Sequence, residues 1–168
     1  MFKWRILVVD DERDTLDLIY MILKDKYEVI CIDNGLEALK KLDIIEPDLI
    51  ILDIMMPKFS GYQFCETVKK TPKYKNIPIM FLSAKDSVAD QKHGYLIGAI
   101  SYITKPFTPE RLLKNVNAFF KYTPPQKKNK KHTYDVLIKN YFKPPLEEKK
   151  IQHKPRIIID EDNTSWVD

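Results

Sequence analysis

Apolar residues fall in short unbroken runs, and between the runs they recur at helical spacing. Ile6-Leu7-Val8-Val9 reads as a strand buried on both faces, and the acidic turn Asp10-Asp11-Glu12 ends it. Leu16, Ile19, Ile22 and Leu23 then mark a helix, and Tyr27–Ile32 a second strand. Asn34-Gly35 signals a turn into a helix whose face is Leu36, Leu39 and Leu42, stopped at Glu46-Pro47. Leu49-Ile50-Ile51-Leu52 is the most strand-like run. Gly61 opens a helix through Phe64 and Val68, bounded by Pro72. Ile77–Leu82 reads as a fourth strand, Ser87–Ile97 as a helix stopped by Gly98, and Ile100–Thr104 as a fifth strand. Leu112, Leu113, Val116, Phe119 and Phe120 form the core face of the next helix.

Five strand–helix units with short connections predict an α/β fold, a parallel sheet covered on both faces through right-handed crossovers. Five strands suit the flavodoxin-like doubly wound order 2-1-3-4-5, and in either common order the site lies beyond the carboxyl ends of the strands. No glycine-rich phosphate loop follows the first strand; Asp10-Asp11-Glu12 stands there, and carboxylates repel phosphate unless a cation intervenes. Nucleotide binding in the dinucleotide-fold manner is therefore excluded.

Charge divides the 168 residues in two. The 28 Lys and Arg against 24 Asp and Glu leave +4, yet residues 1–120 carry 17 of each sign and residues 121–168 carry 11 and 7. A basic nucleic-acid-binding body is excluded, so any such role falls to the tail. Cys31 and Cys65 lie in apolar segments without paired-thiol spacing, which fits a reducing, cytoplasmic setting. No apolar segment has the length to cross a bilayer, and no secretory start is read at the N-terminus.

The strand ends carry the chemistry. Asp10 and Asp11 follow the first strand, Asp53 the third, Ser83 the fourth and Lys105 the fifth, so the topology gathers three carboxylates, a hydroxyl and an ammonium on one rim. Two carboxylates about 4 Å apart repel by roughly 4 kcal/mol at an effective dielectric near 20. Such a cluster raises at least one carboxyl pKa and is relieved by a hard divalent cation, for which oxygen donors favour Mg²⁺ over zinc. With the cation bound, a carboxylate can attack a phosphoryl group whose charge is shared with Lys105.

Arg5–Glu12 (RILVVDDE), Pro47–Pro57 (PDLIILDIMMP) with Gly61, Phe81–Asp86 (FLSAKD) and Ser101–Phe107 (SYITKPF) resemble, in order and spacing, the receiver domain of two-component response regulators over roughly residues 3–121. The resemblance implies Asp53 as phosphoacceptor, Asp10 and Asp11 as the acidic pair that holds Mg²⁺ with Asp53, and the backbone carbonyl of Met55 as a further ligand. It implies Ser83 and Tyr102 as the switch pair, Lys105 as the phosphate-pairing lysine and a cis Lys105–Pro106 bond. It further implies a histidine kinase or phosphotransfer protein as donor and self-catalysed phosphorylation and hydrolysis rather than metabolic catalysis. A downstream protein would read the face made by the helix over 87–97, the strand over 100–104 and the final core helix, α4-β5-α5 in chain order. The resemblance also implies an influence of Lys85, two residues beyond Ser83, on dephosphorylation, without giving its direction. Gly98-Ala99 is followed by Ile100-Ser101 where many DNA-binding relatives carry an acidic pair, which puts their α4-β5-α5 homodimer in doubt and leaves Ile100 as an apolar contact point.

The reading divides the chain into a receiver domain over residues 1–122 and a basic, proline-containing tail over 123–168 with five prolines and no glycine beyond residue 120. Lys127, Lys128, Lys130, Lys131 and His132 read as a solvated run. Tyr134, Leu137, Ile138, Tyr141 and Phe142 place an apolar stripe on a short helix at 133–142, too short to stand alone, so it docks on its own domain or on a partner. Arg156–Asp162 echoes Arg5–Glu12, which reads as chance similarity ahead of the start of a second receiver or a strand pairing at a sheet edge. Two other functions compete: a phosphorylation-independent interaction or nucleic-acid-binding module acting through the tail, and an Asp-nucleophile phosphohydrolase, disfavoured because Asp53 is followed by Ile54-Met55 rather than by x-Asp.

Overall fold

The computed structural model describes residues 3–123 and 130–142. The five strands are β1 (Arg5–Val9), β2 (Glu28–Ile32), β3 (Leu49–Leu52), β4 (Ile79–Ser83) and β5 (Ser101–Thr104). All pair in parallel, in the order β2-β1-β3-β4-β5. The helices are α1 (Arg13–Leu23), α2 (Gly35–Lys40, continued after a break at Lys41 by Leu42–Ile45), α3 (Gly61–Lys70), α4 (Val88–Leu96), α5 (Pro109–Lys121) and α6 (Tyr134–Asn140).

The two-residue period of a strand sorts the apolar runs onto two faces. Ile6, Val8, Leu49 and Ile51 meet Leu16, Ile19 and Leu23 of α1 and Leu112, Val116 and Phe120 of α5. Leu7, Val9, Ile50 and Leu52 face the other way, toward Ala38 of α2 and Phe64, Cys65 and Val68 of α3. Side-chain oxygens cap five of the helix starts: Asn34, Ser60 (in a capping box with Gln63), Ser87, Thr108 and Thr133.

α2 departs from its expected face. Leu36 is 45% exposed while Ala38 is fully buried. The helix breaks at Lys41, which shifts the phase of Leu42 relative to Leu36. The small side of α2 is what approaches the neighbouring loop: a Cβ at Gly35 would lie 3.1 Å from the Phe59 ring.

The stripe beyond residue 130 is docked on the body of the same chain. The Lys130 ammonium donates to the Glu46 carbonyl (2.7 Å) and pairs with Asp48 Oδ1 (3.0 Å), and the Lys131 N–H donates to Glu46 Oε2. Arg5, 1% exposed, donates from Nε to Glu28, from Nη1 to the Ile45 carbonyl and from Nη2 to the His132 carbonyl. Tyr134 donates its hydroxyl to the carbonyl of Val29 on the edge strand β2, and Leu137 and Phe142 join the core on the α2 face. Lys130 is thus drawn out of the solvated run into an ion pair. Lys127, Lys128 and the Arg156–Asp162 echo lie outside the described residues.

Candidate functional site

β1 and β3 are neighbours at the point where strand order reverses, and their carboxyl ends place Asp10 and Asp53 side by side. Backbone bonds fix both: Asp10 N–H donates to Ile32 O at 3.2 Å and Asp53 N–H to Val9 O at 2.9 Å. The two are 2% and 3% exposed, whereas Asp11 projects into solvent. Carboxylate oxygens of Asp10, Asp11 and Asp53 lie within 4.8 Å of one another.

Lys105 reaches this cluster from beyond β5, its N–H held by the Ser83 carbonyl at 2.8 Å. Its ammonium stands 2.8 Å from Asp10, 3.5 Å from Asp53 and 3.9 Å from Glu12. One ammonium therefore serves three carboxylates, with Asp11 adjoining them. Burial, with the Asp53 charge adding, pushes the Asp10 carboxyl up to about 6 despite the Lys105 and Glu12 hydrogen bonds. Burial alone would lower the Lys105 ammonium, but the Asp10 hydrogen bond and the charges of Asp10, Asp53 and Glu12 prevail and raise it. Three hard oxygen donors in net negative surroundings suit Mg²⁺, so the chemistry of the donor set fits the ion.

The loop after β3 is shaped by backbone proximity. Met55 N–H donates to Asp53 Oδ1 and Gly61 N–H to the Ile54 carbonyl. A Cβ at Gly61 would sit 2.1 Å from the Asp53 carbonyl oxygen, so only glycine lets α3 start here. Ser83 is fully buried at the end of β4, its Oγ accepting the Lys85 N–H at 3.4 Å. Tyr102 is turned inward against Phe81, its hydroxyl donating to the Lys85 carbonyl at 2.6 Å. The Lys105–Pro106 bond is cis.

Asp10, Asp11, Asp53, Lys105 and Met55 N–H thus converge, while Ser83 and Tyr102 meet at the β4–α4 loop beside them. Two participants had no role assigned from sequence. Glu12 adds a carboxylate near Lys105, and Tyr62 packs between Phe81 and His93 with Lys85 above its ring. Glu12 was legible as the third member of the acidic turn; for Tyr62 no sequence signal existed. His93 is exposed and only rests edge-on against Tyr62.

A five-stranded parallel sheet with acids and a lysine at its switch point is the CheY-like form of the flavodoxin fold. The Response regulator receiver domain family matches residues 6–117, and the chain belongs to it. The alkaline phosphatase synthesis transcriptional regulatory protein PhoP of Bacillus subtilis is 40% identical over 118 residues, 70% of this chain and 48% of its own length. The chain thus spans about half the length of that curated relative. The chemotaxis protein CheY4 of Vibrio cholerae is 34% identical, with a TM-score of 0.66 over 70% of this chain and 98% of its own. The BeF3-activated receiver domain of DrrB, from Thermotoga maritima, is 30% identical, with a TM-score of 0.64 over 71% and 99%. The matched region is a two-component receiver domain with the acidic pocket Asp10, Asp11 and Asp53. Among the described residues, no helix is long and apolar enough to cross a membrane.

Proposed function

We propose that Asp53 takes a phosphoryl group from the phosphohistidine of a histidine kinase or phosphotransfer protein. A carboxylate oxygen of Asp53 attacks phosphorus, the N–P bond breaks, and the histidine nitrogen leaves with the electron pair and is protonated. Hydrolysis reverses the mark when water attacks the same phosphorus and releases inorganic phosphate and the free carboxylate. The observation that carries this reading is the placement of Asp53: nearly buried, 3.5 Å from the Lys105 ammonium, beside two further carboxylates.

Mg²⁺, held by Asp10, Asp11 and Asp53 with the Met55 carbonyl, would neutralise charge on the phosphoryl oxygens. Lys105 stands ready to pair with the transferred group, a charge-assisted contact that its present bonds to Asp10 and Asp53 preorganise. About −1.5 to −2 charge at Asp53 draws in Ser83 and favours the inward Tyr102, shifting an existing equilibrium. A partner reads the shift on the α4-β5-α5 face, where Val88, Tyr95, Leu96 and Ile100 are exposed. The protein acts as a switch in the cytoplasm, with residues 1–122 as the phosphoacceptor unit and 123–168 as an extension.

Intact mass after incubation with Mg²⁺ and phosphoramidate tests this. One phosphoryl increment is expected in the wild type, absent in Asp53→Asn and absent without Mg²⁺. An unchanged increment in Asp53→Asn would remove Asp53 from the role, and multiple turnover on a generic phosphate ester would move the protein among phosphohydrolases.

A further inference from the structure

The extension changes where the chain leaves the domain. After α5, Tyr122 and Thr123 line a cavity with Trp4, Pro47 and Asp48, at the amino ends of the strands. Residues 130–142 then ascend the open edge of the sheet: Lys130 is fastened at Glu46 and Asp48, Tyr134 at Val29, and Tyr141 and Phe142 lie beside Ile32 and Asp33. The chain that started below the sheet has reached the rim that carries the acidic pocket.

Tyr141 and Phe142 enclose a cavity of about 250 Å³ with Arg13, Asp33, Glu37 and Lys41. Lys41 and Glu37 pair with each other at 2.6 Å. Arg13 directly follows Glu12 in the acidic turn and is exposed. Ile32, which lines the same cavity, uses its carbonyl to hold the Asp10 N–H at 3.2 Å. The tip of the extension thus shares a cavity with the residue whose carbonyl holds Asp10.

A protein that delivers a phosphoryl group to Asp53 has to cover this rim. A specific interface hides about 800 Å² per partner, a disc of about 16 Å radius. Arg13, next to Glu12, and Ile32, which holds Asp10, border the pocket, and Tyr141 lines one cavity with both. A half-exposed tyrosine beside an exposed arginine is the side-chain chemistry that concentrates binding energy at interfaces. Resting on the function proposed above, we propose that Tyr141 and Arg13 form part of the docking surface for the phosphohistidine-bearing protein. The extension, seated by Leu137, thereby helps select the donor.

Two donors separate this from general effects on the pocket: phosphoramidate, which needs no docking surface, and the ³²P-autophosphorylated catalytic cores of histidine kinases from the same cell. Full-length wild type, Tyr141→Ala, Arg13→Ala and Leu137→Asp are compared, with hydrogen exchange over residues 134–142 reporting whether the extension is seated. The proposal expects kinase transfer to fall at least tenfold in each variant while phosphoramidate labelling stays within twofold. Tyr141→Ala is expected to keep its exchange protection and Leu137→Asp to lose it. Equal kinase transfer with the extension unseated overturns the proposal. So does a parallel loss with both donors, which would make the extension a structural support of the pocket. Wild type labelled by phosphoramidate but by none of the kinases also overturns it, while leaving Asp53 as acceptor; wild type labelled by neither removes the function reading itself.

Discussion

The two ends of the sheet both bury a charged pair, and they treat it in opposite ways. At the carboxyl ends of the strands, one ammonium faces Asp10, Asp53 and Glu12, with Asp11 adjoining, and the buried Asp10 carboxyl is pushed up to about 6. At the amino ends, the equally buried Arg5 spends three of its N–H groups on Glu28 and two backbone carbonyls, and Lys130 closes on Asp48 and Glu46. The lower end is saturated and holds the fold together. The upper end is under-compensated, with more carboxylates than ammonium groups, so that a hard divalent cation would find a place already prepared. Burial of charge does not mark function by itself; an imbalance between buried donors and acceptors does.

The largest test of this contrast is at the saturated end. Arg5→Ala strands Glu28 and leaves the Ile45 and His132 carbonyls without their guanidinium donors, and should cost about 3–5 kcal/mol in urea unfolding. A loss below about 1 kcal/mol would show that the lower network is dispensable.

At the upper end the sign reverses. The Asp10 carboxyl binds its proton more tightly folded (about 6) than at its ordinary value of 3.8, so its contribution is fully present below about pH 4 and is lost as pH rises through 6. Without metal at pH 7.5, Asp10→Asn should therefore stabilise the fold by up to about 3 kcal/mol, at 1.36 kcal/mol per pKa unit. The gain should shrink below pH 6 and vanish near pH 4; a destabilised variant at pH 7.5 would mean that the Lys105 pair outweighs burial.

The smallest effect sharpens the same point. Mg²⁺ at ten times its dissociation constant should add about 1.4 kcal/mol, seen as a rise in Tm. Asp11→Ala should erase that rise; a full rise in the variant would reject Asp11 as a ligand.

Much of this was legible from residue pattern because parallel strands buried on both faces are continuous apolar runs, and Ile6–Val9 and Leu49–Leu52 are such runs, each flanked by turn signals. Once the order of strands follows, the residues just past their carboxyl ends are placed together, which is why the sequence alone already groups Asp10, Asp53, Ser83 and Lys105. What escaped depends on contacts distant in sequence. Arg5 reads as a charged strand start, and only His132 and Ile45, far along the chain, make it a core residue. The exposure of Leu36 and burial of Ala38 follow from the break at Lys41, for which the run of leucines carries no signal. The stripe at Tyr134–Phe142 announced a docking face, but its socket at β2 is visible only once the sheet has an edge.

Helix α4 is anchored differently from its neighbours. Gly94 is its one buried residue, seated where a Cβ would be 3.1 Å from Phe81 and Tyr102, while Val88 and Leu96 are 68% and 84% exposed. α5, by contrast, sinks Leu112, Val116 and Phe120 into the core. Fraying α4 therefore wets almost no hydrocarbon of its own side chains, and its amides should exchange with solvent before those of α5. The helix that lies directly on the ring of Tyr102 is thus held by almost no buried hydrocarbon of its own.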